Sequence, residues 1–193
     1  MRPASELKAR RFGISFGGSN CGRSGRAGRR GGGEQPTSSP PACQLSASRR
    51  LADFGACYGD LPAHDGLWES AAATADDLLA RLAVVPLVLE ARGLDVTPEM
   101  AATLDRVGDP ESAAVLRRIY RDEIDHVAAG VRWFDELCRA RGLIPDETFQ
   151  QLVPRYFKGE LKPPFNHEAR AAAGFPARYY EPLLRGGVPP LRE

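Results

Sequence analysis

The sequence predicts an all-α protein, and three observations carry that expectation. Apolar residues recur at three- and four-residue spacing over two long stretches, about Gly66 to Arg92 and about Pro110 to Arg141. Helix punctuation brackets them: Asp65 before the first, Gly108-Asp109-Pro110-Glu111 before the second and Gly142 after it. The third observation is chemical. Glu90, Glu123 and His126 stand on apolar lines of these helices, where a carboxylate or an imidazole needs a partner.

The chain of 193 residues is long enough for one domain with a core. Its net charge of +1 conceals an asymmetry. Residues 1–50 carry ten Lys/Arg against two Asp/Glu, and residues 51–193 carry sixteen against twenty-three. The acidic larger part disfavours nucleic acid as a partner. No apolar run reaches the roughly 20 residues that span a bilayer, so a membrane protein is not expected. Cys21, Cys43, Cys57 and Cys138 show no C-x-x-C spacing. They read as reduced thiols of a cytoplasmic protein.

Residues 1–50 are rich in Gly, Arg, Ser and Pro and have no usable periodicity. Such a segment buries too little apolar surface to fold alone, and disorder is expected there. Three readings are open: a basic tail, an organellar transit peptide, or the out-of-frame translation of a GC-rich gene, of which the last is favoured. Residues 51–64 form a connection broken by Gly55, Gly59 and Pro62. His64 in that connection reads as a loop residue bonded near a helix start, or as a ligand or substrate contact.

From Gly66 one long helix is expected to Arg92, with Ala71, Ala75, Leu78, Leu82, Val85 and Leu89 as its seam. Pro86 should kink it one turn before Glu90. Glu90 is then either a ligand at the end of a buried run or the return to solvent, paired with an arginine. Gly93 should end this helix, and Thr97-Pro98 should open a short one. In the second long helix, Leu116, Ile119, Tyr120, Val127, Phe134 and Leu137 form the apolar stripe. Glu123 lies four residues after Ile119 and His126 seven, so both fall on that stripe. Asp122 and Asp125 follow arginines by four and belong to a solvated face. Gly130, one turn past His126, permits close helix approach or simply fits a neighbour. Beyond Gly142, a helix over Asp146 to Phe157, a turn at Lys162-Pro163-Pro164-Phe165-Asn166 and a short helix capped by Asn166 are expected. His167 should be exposed there, and residues 176–193 should form an irregular tail.

Two inward carboxylates and an imidazole on two helices are half the ligand set of a di-iron or di-manganese carboxylate bundle. Several separated words add to this: Gly59-Asp60-Leu61-Pro62-Ala63-His64-Asp65-Gly66-Leu67-Trp68-Glu69, Val88-Leu89-Glu90-Ala91-Arg92-Gly93-Leu94-Asp95-Val96-Thr97-Pro98, Asp122-Glu123-Ile124-Asp125-His126-Val127, Arg132-Trp133-Phe134 and Pro164-Phe165-Asn166. Together they resemble the ferritin-like family called domain of unknown function 455, over about Leu51 to Phe175. The resemblance implies an antiparallel four-helix bundle with a dinuclear metal centre. It makes Glu90 the carboxylate of the third helix, and Glu123 and His126 the pair on the fourth.

The resemblance also implies two upstream helices, one with a Glu and the next with another Glu-x-x-His. Residues 1–50 hold only Glu6 and Glu34 as acids and no histidine, so half the ligand set is expected to be missing. The function so implied is a di-iron or manganese oxidoreductase of oxygenase or hydroxylase type, acting on a small molecule or a modified RNA. The alternatives are a metal store or ferroxidase, and an inactive structural fragment. Two outcomes are open for the unfinished site: a metal-bridged homodimer, and aggregation or degradation, of which the second is favoured.

Overall fold

Residues 42–50 contain neither glycine nor proline, unlike the residues before them, and they begin a helix. In the computed structural model, which describes residues 42–62 and 64–184, α1 runs Ala42–Asp53. It therefore starts upstream of the boundary expected at Leu51, and the disorder expected over residues 1–50 does not hold for residues 42–50. Arg50 Nε donates to Ser112 Oγ at 2.9 Å, and its guanidinium reaches Asp109 at 2.7 Å. The expectations for residues 1–41 and 185–193 lie outside the described residues.

The stretch expected as one helix from Gly66 to Arg92 is divided. α2 spans Gly66–Ala73 and α3 spans Leu78–Val84. Between them the Thr74 hydroxyl donates to Ser70 O at 2.9 Å, and the Asp77 carboxylate accepts the Ala80 N–H at 3.1 Å. Short polar side chains here offer the backbone other partners than a continuous helix. The expected seam crosses this break, and Ala75 and Leu78 are exposed. The buried seam is instead Leu79, Ala80, Ala83, Val84, Leu87, Val88, Ala91 and Leu94.

The bend expected at Pro86 takes the form of a π-helical segment, Val85–Glu90. Proline has no N–H and its ring collides with the carbonyl four residues back. The segment is wound more widely than an α-helix: the Ala91 N–H donates to Pro86 O, five residues back. α4 then continues over Ala91–Arg106, through Gly93, with Pro98 inside it. This overturns the helix end expected at Gly93 and the new start expected at Thr97. The reason lies partly outside the local sequence. Pro98 cannot bond the Leu94 carbonyl, and the Asn166 side-chain amide donates to that oxygen at 3.2 Å instead.

Residues 107–109 return the chain for α5, Pro110–Ala140, within one residue of expectation. Asp109 caps it by accepting the Ser112 N–H at 3.0 Å, and Gly142 follows with φ +67. The Ser112 donors, aided by Arg50, hold the Asp109 carboxyl below the usual carboxylate range. α4 packs lengthwise on α5 as a helical hairpin. α6, Pro145–Tyr156, brings Phe149 edge-on to Phe134, Phe175 and Tyr179. Cys138 beneath it is a buried thiol, pushed up to about 11 by burial.

Asn166 caps α7, His167–Ala172, as expected. The residues after Gly174 are not a loose wrap. Tyr179 and Tyr180 are 1% exposed, and α8 spans Glu181–Leu184. Their aromatic surface belongs to the core, so the folded unit does not stop at Phe175. Arg170 forms a two-pronged pair with Asp95 at 2.8 and 2.7 Å, with both side chains buried. Its guanidinium lies over the rings of Phe165 and Tyr180. Among the described residues there is no strand, and no helix is long and apolar enough to cross a membrane.

Gly130 of α5 lies tight against Pro86 of the π-helical segment. A Cβ there would lie 2.6 Å from Pro86 Cβ and 2.8 Å from Pro86 Cγ. Gly130→Ala should therefore lower the thermal midpoint, because an overpacking cost of about 1–3 kcal/mol outweighs the ~1 kcal/mol gained in helix propensity. A raised midpoint would show that the contact yields easily. Asp95→Ala leaves the Arg170 charge buried alone and should cost about 3–5 kcal/mol in urea unfolding. Arg118→Ala, which opens the exposed Arg118–Asp122 pair, should cost under about 1 kcal/mol in the same measurement.

Candidate metal centre

Two elements meet at the site. The π-helical segment ends at Glu90, and α5 presents Glu123 and His126 one turn apart. The three side chains offer ligand atoms that all lie within 4.8 Å of one another. His126 Nδ1 is 3.2 Å from Glu123 Oε2. Beside them a Cβ at Gly93 would make ordinary contact with Glu123 Cγ at 3.7 Å, which marks how closely α4 and α5 approach. The structure thus brings together all three residues that the sequence singled out.

Their burial differs from expectation. The buried stripe of α5 is Ala113, Val127, Gly130, Val131, Phe134 and Cys138. Leu116, Ile119, Tyr120 and Leu137 are only half-buried. Glu123 and His126 flank that stripe; their side chains are 21% and 55% exposed. Over a helix of 31 residues, a fixed seven-residue line drifts by about 20° per heptad and leaves the core face. Asp125 is exposed, and Asp122 pairs with Arg118 at 3.0 Å, as the solvated-face reading requires.

Glu90 is half-buried, and no arginine pairs with it among the described residues. Burial, and then the Glu123 charge, push its carboxyl up; His126 partly opposes this. Two carboxylates held together in a partly desolvated place favour either a shared proton or a cation. The donor set fits iron or manganese: carboxylate oxygen with imidazole nitrogen, and no thiolate. Donors on one ion at ~2.1 Å lie at most about 4.2 Å apart. The 4.8 Å outer limit is thus within reach of a small side-chain adjustment, for which the exposed His126 has room.

Glu90 and Glu123 border a cleft of about 1000 Å³. Leu67, Leu89 and Phe157 give it apolar walls, with His64 and Lys158 also lining it. His64 Nδ1 accepts the Gly66 N–H at 3.0 Å, as a loop residue at a helix start does, and it is not part of the three-residue group. His167 is exposed and its Nδ1 lies 3.0 Å from Tyr180 Oη. Phe157 and Lys158 carried no signal in the sequence, since they follow α6 in extended backbone. The Pro-Phe-Asn turn was the visible trace of another missed group, the bonds of Asn166 to Leu94 O and Tyr120 Oη.

A family described as "Protein of unknown function (DUF455)" matches residues 45–181. That span takes in most of α1 and the buried tyrosines. A Haemophilus influenzae protein described as "Uncharacterized protein" is 43% identical over 132 residues, 66% of this chain and 44% of its own. The chain thus spans less than half the length of that relative. No solved structure matches.

The raised Glu90 carboxyl has a thermodynamic consequence for the metal-free protein. The folded state holds the Glu90 proton more tightly than the unfolded chain does. Stability from this group is therefore present below the pKa of an ordinary glutamate and is lost as pH rises through the raised folded pKa. Glu90→Gln should raise the thermal midpoint of the metal-free chain at pH 7 and leave it nearly unchanged at pH 4. A lowered midpoint at pH 7 would mean that Glu90 has a stabilising partner.

Proposed function

The chain belongs to the DUF455 family, and on that footing we propose that it is a ferritin-like helical protein that binds iron or manganese through Glu90, Glu123 and His126. The activity inferred is that of a dinuclear carboxylate oxidoreductase of the oxygenase or hydroxylase type. The observation that carries this reading is the convergence of the three ligand atoms within 4.8 Å, with Glu90 and Glu123 bordering a cleft. A metal there would supply redox and Lewis-acid chemistry towards dioxygen.

The chain's own residues would do the rest. Glu90 and Glu123 balance the cation's charge. The contact of His126 Nδ1 with Glu123 Oε2 turns the ring towards the carboxylates. Leu67, Leu89 and Phe157 offer apolar walls that exclude water from the approach to the carboxylates. A cleft of this size and polarity suits an organic small molecule as substrate. The excess of acids over residues 51–193 works against a phosphate backbone.

Calorimetric titration of the full chain with Mn(II) tests the reading. Glu123→Ala and His126→Ala should each weaken binding by about tenfold or more, or about 1.4 kcal/mol. Asp125→Ala, exposed on the same helix, should leave it unchanged. Absence of binding, or equal loss in all three variants, would overturn the assignment.

A further inference from the structure

We propose that Gly93 is a positioning residue of the metal centre: its bare backbone leaves Glu123 the room to move towards Glu90 and close on an ion. This rests on the metal reading above and adds a residue that acts through one of the ligands. Gly93 is the third residue of α4, directly behind the π-helical segment, so it lies inside continuous helix. Glycine is less favourable than alanine there, because it gives up more conformational freedom on folding. Two structural reasons justify a glycine: a backbone that other residues rarely adopt, or a neighbour too close for a Cβ. Among the described glycines, five have positive φ, and at Gly66, Gly130 and Gly159 a Cβ would fall under 3.0 Å from a neighbour. Gly93 has neither reason. Its φ is not positive, and the atom that a Cβ would meet is Glu123 Cγ, at an ordinary 3.7 Å.

The missing side chain would stand between the two carboxylates. In a helix the Cα–Cβ bonds tilt towards the N-terminus, so a residue covers the turn before its own Cα. The turn before Gly93 carries Glu90, three residues earlier, and the atom facing Gly93 from α5 is Glu123 Cγ. Glu90, Gly93 and Glu123 border the same cleft. The space that Gly93 leaves therefore lies next to both acidic ligands.

The ligands need such space. Their atoms lie within 4.8 Å of one another, whereas donors on one ion at ~2.1 Å lie at most about 4.2 Å apart. Some closure must accompany binding. His126 has solvent around it, with 55% of its side chain exposed, but the Glu123 side chain is 21% exposed and moves only where its neighbours allow. A methyl group at position 93, in van der Waals contact with Glu123 Cγ, would hold that stem where it stands in the metal-free chain. Gly93 thus gives up helix stability for freedom of the Glu123 carboxylate.

Thermal unfolding and calorimetric Mn(II) titration of the full chain and of Gly93→Ala test this. In the metal-free state Gly93→Ala should raise the midpoint by about 2–4 °C. The same variant should bind Mn(II) about tenfold or more weakly. A merely structural role does not move the two readouts in opposite directions. In the Glu123→Ala background, Gly93→Ala should change Mn(II) affinity no further, because its effect passes through Glu123. Mn(II) binding by Gly93→Ala equal to that of the unsubstituted chain overturns the positioning role and leaves the metal reading standing. A lowered midpoint, which marks a packing requirement at Gly93, also overturns it, as does a further loss of affinity in the Glu123→Ala background. An unsubstituted chain that takes up no Mn(II) overturns both readings.

Discussion

The Pro86 ring rests on the bare backbone of Gly130, and the geometry of the candidate centre depends on that contact. Proline cannot sit in an unbroken α-helix at this place without losing a donor and striking a carbonyl. Pro86 stands at the start of the π-helical segment, and Glu90 is its last residue. Gly130 lies one turn past His126 on the facing helix. The distance at which α5 meets the π-helical segment therefore also sets how far Glu90 stands from Glu123 and His126. A packing contact between two residues without chemistry of their own thus controls the spacing of three that have it.

A second constraint holds the hairpin that carries these residues. Pro98 leaves the Leu94 carbonyl without its helical donor, and Asn166 supplies one. The same turn places its backbone N–H on Asp95 and leads into α7, where Arg170 grips Asp95 with two bonds. The Asp95 side chain is fully buried and that of Arg170 is 3% exposed, so the Arg170 charge could not stay there without Asp95. Aromatic rings of Phe165 and Tyr180 cover the guanidinium. α4 is thus closed by residues some 70 positions later, which is why it runs past two local stop signals.

That dependence explains what could be read from the sequence and what could not. α5 was legible because its cap, its first-turn proline and its closing glycine are local devices around a long period. The Asn166 cap was legible for the same reason. Gly93 and Pro98 misled because the donor that permits Pro98 within the helix comes from Asn166, and no local window contains both. The break before Leu78 was hidden by apolar letters that kept their spacing across Thr74 and Asp77. Glu90, Glu123 and His126 could be named because acids and imidazole among apolar residues stand out whatever the exact phase. Their exposure could not be foretold, since one residue of rotation separates the stripe of Val127 and Val131 from His126. The buried tyrosines at 179 and 180 lay in a segment whose proline and glycine content suggested only an irregular tail.

The centre joins two demands that oppose each other in the metal-free chain. Ligands must converge, and convergence sets Glu90 against Glu123 in a place that is partly out of water. Burial and like charge both push the Glu90 carboxyl towards its protonated form, while His126 provides only partial relief. A purely structural site would resolve this with an arginine, as Asp95 does with Arg170. No arginine pairs with Glu90 among the described residues. The fold accordingly contains two acidic sites solved in different ways. One is closed by a guanidinium from within the chain. The other has no guanidinium among the described residues and stays open on the His126 side, where the side chain is 55% exposed.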